Sequence, residues 1–293
     1  MRTEPTRPAH LPPVPSLLMA VASVQAGAAL AKSLFPALGP AGATGLRVVL
    51  AAALLLALFR PPVRALRRRQ WVVLLPYGAA LGLMNLSFYL ALERIPLGLA
   101  VTLEFVGPLG VAVLGSRRAA DFAWVALAAT GILLLSPVAP GPALDPLGVA
   151  LALGAGLCWG AYILVGGAVT RRLAHDGHGV AVGMAVAALV VLPFALAAGP
   201  RAPITPALLG AGLAVAVLSS ALPYALELAA LRRLPSRTFG ILMSLEPVVA
   251  TLIGFAFLGE RLDPGEWVAV ACVTLASAGA TWTAGRVPPP VEA

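Results

Sequence analysis

Five charged side chains lie inside apolar stretches of the 293-residue chain: Lys32, Arg47, Glu104, Glu227 and Glu246. An ion in hydrocarbon is costly unless it is paired, and such residues mark sites by default. Two cations and three carboxylates could pair with one another or exchange a proton. The balance leaves one carboxylate without a cation, and such a group can be held neutral by a proton.

Lys32 is the only lysine in a chain whose other 19 strong bases are arginine. It shares a helical face with Gln25, Ala28 and Ala29, because seven residues make nearly two turns. That small, polar face points it to a bundle interior, where Glu104 has Lys32 or Arg47 as its natural partner; the alternative for Lys32 is snorkelling to the nearby interface. Arg47 lies at similar depth, as an ion-pairing or ligand-binding group or as an interfacial anchor. Glu246 is followed directly by Pro247, and Glu104 by Pro108. Glu227 shares a face with Ser220 and Tyr224. Trp159 and Tyr162 are three apart, and together with Asn85, Ser87 and Tyr89 they could form a polar-aromatic wall. Trp and Tyr also form interfacial belts, which is the plainer reading of Tyr89.

Several chemistries are excluded by their missing motifs. The sequence has no H-E-x-x-H, G-x-S-x-G or Walker A pattern. Neither an enzyme nor a metal or cofactor site is expected. The two cysteines, Cys158 and Cys272, are too few for a disulfide framework. Basic residues stand in short clusters between apolar runs, with no aromatic interleaving that would suit nucleic acid. "NLS" at 85–87 matches a glycosylation sequon but lies within an apolar run. Gly78 and Gly82 form a G-x-x-x-G pair suited to close helix packing.

The elements that must position these groups are membrane helices. The chain is 60% hydrophobic and 11% charged, against about 25% charged residues in soluble domains. About 20 apolar residues span a bilayer. Ten such runs are predicted, at 16–37, 42–59, 71–93, 96–115, 122–139, 147–169, 180–199, 207–230, 238–258 and 264–284. The first reads as an uncleaved helix rather than a signal peptide. Residues 1–15 and 285–293 are tails. With the N-terminus in the cytoplasm, the inner segments carry 15 arginines and the outer loops carry three, Arg94, Arg201 and Arg261. That asymmetry places both termini in the cytoplasm.

An internal repeat divides the chain. "ALERIP" (91–96) and "LEFVGP" (103–108) answer to "ALRRLP" (230–235) and "LEP" (245–247), five helices apart. An odd offset reverses orientation. The expected fold is therefore all-α integral membrane, with ten transmembrane helices as two inverted five-helix repeats, 16–139 and 147–284. Secondary transporters are built this way, with the site near the midplane.

With "LEP" at 245–247, "LGERL" at 258–262, and the stretches "AGAALAKSLFP", "LALGAGLCWGAYIL" and "LSSALPYALELAALRRLPSRTFGILMSLEP", the chain resembles the EamA family of drug/metabolite transporters. The resemblance is closest to the threonine/homoserine exporter branch and runs from about 16 to 284. It implies a bacterial inner-membrane exporter of small neutral amino acids that exchanges them for protons, with Trp159 in the central cavity. The alternatives are export of another metabolite or drug, or a sensor or scaffold without flux. The substrate-binding or coupling set is Lys32, Arg47, Asn85, Glu104, Trp159, Tyr162, Tyr224, Glu227 and Glu246.

Overall fold

The computed structural model describes residues 12–114, 119–134, 144–173, 176–231, 233–234 and 236–284. The tails, expected at 1–15 and 285–293, lie outside these residues except for 12–15. Every regular element in the described part is helical. Thirteen α-helices build ten rods. Rods one to three are α1 (Pro13–Ser33), α2 (Phe35–Phe59) and α3 (Arg68–Leu92). Rod four is α4 (Leu97–Glu104) with α5 (Val106–Leu114), rod five is α6 (Ala119–Leu134), rod six α7 (Pro146–Arg172) and rod seven α8 (Asp176–Ala198). Rod eight joins α9 (Pro206–Ala216), a π-turn (Val217–Ala221) and α10 (Leu222–Leu231). Rod nine is α11 (Ser236–Met243) with α12 (Glu246–Leu258), and rod ten is α13 (Pro264–Ala284).

Among the described residues, six helical segments are long and apolar enough to cross a membrane, α11 and α12 counting as one. The ten rods fit the ten predicted runs, but three runs are broken. Proline explains where. A helical N–H bonds to the carbonyl four residues back, and proline has no N–H. Pro108 therefore leaves the Glu104 carbonyl without its helical donor, and α4 ends at Glu104. Pro247 does the same to Met243, the last residue of α11. The breaks thus fall upstream of each proline, and both put a glutamate at the interruption. Gly39, with φ 66°, supplies a further kink near the start of α2.

Rod three packs on rods six and seven, two on seven and eight, one on eight and nine, four on six and nine, and five on ten. Lipid offers no hydrophobic drive, so such contacts rely on close approach of small residues. At the rod-four break, a Cβ on Gly156 would stand 2.6 Å from the Glu104 carbonyl oxygen, and one on Gly107 would collide with the Gly156 carbonyl. The Gly78 and Gly82 pair predicted to pack closely does so: Cβ atoms there would press on Val186 and on Ala187 of α8. Outward, Phe257, Leu157, Leu196 and Phe122 are each at least 70% exposed. Apolar exposure of this extent suits lipid and not water.

The rods have an arginine-rich end (the loops around 60–69 and 171–172) and an arginine-poor end (the loops at 93–96, 199–205 and 259–263). The three ion pairs of lysine or arginine among the described residues all lie at the poor end: Lys32–Glu260 at 2.6 Å, Arg94–Asp145 at 2.8 Å and Arg201–Glu93 at 3.1 Å. Asp145 also caps α7, accepting from the Leu147 and Gly148 amides. The Arg94 hydrogen bond, helped by the Gly148 amide, holds this carboxyl below its ordinary range. Glu93 and Arg94, at the end of α3, are both paired.

Candidate functional site

A cavity of about 300 Å³ lies between rods one, two, three, four, six, seven, eight and nine. Seven of the nine predicted residues line it: Arg47, Asn85, Glu104, Trp159, Tyr162, Glu227 and Glu246. Ser219 and Ser220, which join them, come from the π-turn. The sequence placed Ser220 on a face with Glu227 but gave no sign of a π-turn between them. The side chain of Tyr224 lies outside the described residues.

Lys32 is the correction. Its ammonium does not meet Glu104. It bonds Glu260 Oε1 and, at 3.4 Å, the Ile95 carbonyl. The second oxygen of Glu260 accepts from the Leu97 amide at 2.8 Å, where α4 begins and its first N–H groups need acceptors. One carboxylate thus ties the end of α1, the start of α4 and the loop before α13. Glu260 sits in "LGERL", and no local pattern links it to a lysine 228 residues away. Lys32 is not among the residues lining the cavity.

Arg47 is the cation that remains. Tyr89 is fully buried and accepts a hydrogen bond from Arg47 Nη1 at 3.0 Å, and the guanidinium carbon stands 5.3 Å from its ring centroid. Phe35 and Phe88 flank the phenol, each 6.0 Å away between ring centroids. Tyr89 therefore supports the arginine rather than forming cavity wall. Arg47 Nε is buried with no hydrogen-bond partner. Glu104 and Glu246 are both buried, at the breaks of rods four and nine. Trp159 meets Phe105 edge-to-face, with centroids 5.1 Å apart, which holds the indole beside the rod-four break. Tyr77 donates to the Tyr162 hydroxyl at 3.0 Å while their rings stack at 4.7 Å. Asn85 donates to the Leu81 carbonyl at 2.7 Å.

The site thus offers one guanidinium, three carboxylates and two buried serine hydroxyls with no partner, Ser219 and Ser220. Buried polar groups in native proteins are nearly always satisfied. A cluster of orphans around one cavity is what a polar guest would complete. Among the described residues no His/Cys/Asp/Glu cluster has the make-up of a metal site.

The EamA-like transporter family matches residues 146–282. The threonine/homoserine exporter RhtA of Escherichia coli (strain K12) is 47% identical over 272 residues, covering 92% of each chain. The chain belongs to the EamA-like transporters, in the threonine/homoserine exporter branch. RhtA of Salmonella typhimurium (strain LT2) is likewise 47% identical, covering 94% of this chain and 93% of its own. A solved protein crystal structure superposes with TM-score 0.62 over 93% of this chain and 98% of that one. At 20% identity it speaks to the fold alone. Membership and the apolar helices together make this a multi-pass membrane protein of a transporter family.

Proposed function

We propose that this chain exports small neutral amino acids of the threonine and homoserine class across the bacterial inner membrane, by alternating access and in exchange for protons. The observation that carries the reading is a guanidinium and carboxylates facing one cavity of about 300 Å³. That pattern is complementary to a zwitterion. Arg47 receives the substrate carboxylate, for which its fork is shaped. Glu104 and Glu246 are placed for the ammonium, with Glu227 at the same cavity. Trp159 and Tyr162 bound the apolar part. Identity with relatives named as threonine/homoserine exporters supports the substrate class.

Three carboxylates against one guanidinium support proton exchange. The cavity has room for a proton in place of the departing ammonium, so loading and release alternate. The pattern of rod packing supports the inverted repeat. Exchanging each rod n with n+5 turns three–six into eight–one, three–seven into eight–two and four–six into nine–one, and all of these pairs occur. It maps two–seven, four–nine and five–ten onto themselves.

The ion pairs supply the gate. Two of the three join the first repeat to the second, and the third joins Arg94 to Asp145, the cap of α7. With the arginine-rich end in the cytoplasm, they close the outer end. Lys32 then serves coupling from the gate, and Arg47 serves binding.

Counterflow in proteoliposomes tests the reading. Vesicles loaded with unlabelled threonine should accumulate labelled threonine and homoserine, and an imposed proton gradient should drive net flux. Absence of exchange for every neutral amino acid would reject it. Exchange of another metabolite alone would reassign the substrate.

A further inference from the structure

We propose that Ser219 and Ser220 form the subsite that reads the hydroxyl of the substrate's side chain, so that the π-turn of rod eight sets specificity. This rests on the amino-acid reading above.

The argument begins at Pro223. It has no N–H to give to the carbonyl of Ser219 four residues back. The Leu222 amide bonds instead to the Val217 carbonyl, five residues back, and the turn widens into the π-form. Leu218 then loses its helical donor on both counts, since Leu222 is engaged and Pro223 has none. Ser23 of α1 fills that gap, donating to the Leu218 carbonyl at 2.7 Å. The wide turn is therefore pinned from the neighbouring rod rather than frayed. Such single π-turns are common at functional sites.

The turn brings two successive side chains, Ser219 and Ser220, to the same cavity. Room for the first is provided by Gly27 of α1, where a Cβ would fall on Ser219 Oγ. Ser220 is only 3% exposed. Thr274 of α13, outside the cavity lining, is also buried without a partner, but Thr44, Thr102, Ser244 and Thr251 return their hydroxyls to the carbonyl four residues back. Ser219 and Ser220 do not, and both oxygens are buried without a partner. Each is a donor and an acceptor at once. A ligand hydroxyl has the same double character. The π-turn also packs on α1 and α2, the helix of Arg47, so the hydroxyl subsite neighbours the proposed carboxylate anchor.

A site built to bond a hydroxyl rejects the analogue that lacks it far more strongly than an apolar pocket rejects an extra methylene. The experiment is competition in threonine counterflow, pairing homoserine with 2-aminobutyrate and threonine with valine. The wild-type protein should favour the hydroxylated member of each pair by about tenfold or more. In Ser219→Ala/Ser220→Ala that ratio should fall toward one, with half-inhibition by valine and 2-aminobutyrate changed less than about threefold. An unchanged ratio in the double variant overturns the proposal. So does a ratio near one in the wild type while amino acids still exchange, and in that case the amino-acid reading survives. Loss of all amino-acid exchange in the wild type would reject both. Should the double variant not fold, Ser220→Ala alone, one oxygen removed, reads the same ratio.

Discussion

Replacing Glu260 by Gln perturbs the proposed gate at the arginine-poor end. In the structure one oxygen of Glu260 meets Lys32 Nζ at 2.6 Å and the other meets the Leu97 amide at 2.8 Å. Glutamine keeps an acceptor for the amide and loses the ion pair. A hydrogen bond to a charged group contributes about 1.5–3 kcal/mol. The pair is partly wetted, with side chains 25% and 12% exposed, so about 2 kcal/mol is the upper end to expect for its loss. If the closed arrangement alone holds this bond, 2 kcal/mol multiplies the open fraction by about 30. A cysteine placed at Val101, which lines the cavity, reports that fraction. In a Cys158→Ser/Cys272→Ser background, an impermeant maleimide added from outside should label it about 10–30 times faster in Glu260→Gln. Lys32→Ala should do the same, and the pair of changes should add little more, because they break one bond. Equal labelling rates with and without the substitution would refute the gate. Faster labelling accompanied by a lower melting temperature in detergent would point to unfolding instead.

Arg47→Met should abolish counterflow, and Arg47→Lys should leave it at least tenfold weaker, since an ammonium cannot offer two parallel N–H groups; initial rates at fixed external substrate measure both. Glu104→Gln, Glu227→Gln and Glu246→Gln should include at least one variant whose exchange no longer responds to pH, and three unchanged pH profiles would dismiss proton exchange through these groups. Gly156→Ala should lower thermal stability markedly, because the added methyl meets the Glu104 carbonyl oxygen at 2.6 Å and backbone cannot yield cheaply; a melting curve within experimental error of wild type would contradict the packing. Asp145 is held below the ordinary carboxylate range, so its pairing with Arg94 is present above that range and is lost only as pH falls through the lowered value. Between about pH 5 and 8 the pair should not titrate, and Asp145→Asn should leave the pH profile of counterflow unchanged in shape.

The rods were legible because an apolar run of bilayer length has few other fates. Their interruptions were half legible. Pro108 and Pro247 announce a break, yet the missing bond belongs to the carbonyl four residues upstream, and only that shift puts Glu104 and Met243 at the ends of their ladders, with Glu246 opening the next helix. Arg47, Glu104 and Glu246 were found because isolated charge in hydrocarbon is rare. Which charge meets which was not legible. Lys32 and Glu104 sit at compatible depths, but depth does not fix rotation about the helix axis, and the true partner stands in a loop 228 residues away. Ser220 was read only as part of a polar face with Glu227, and Ser219 gave no signal, since a serine pair in a helix is ordinary until Pro223 widens the turn beneath it.

Tyr89 carries a last consequence. It holds Arg47 by one hydrogen bond and a ring face, and it is neutral. A carboxylate at the same place would fix the guanidinium equally well and would cancel its charge. The phenol works as an electrical insulator: it orients the cation and leaves its field undiminished for whatever enters the cavity. Tyr89→Phe would slacken that mounting and keep the charge, whereas Tyr89→Glu would short-circuit the site. The difference between those two variants separates the geometry of the anchor from its electrostatics.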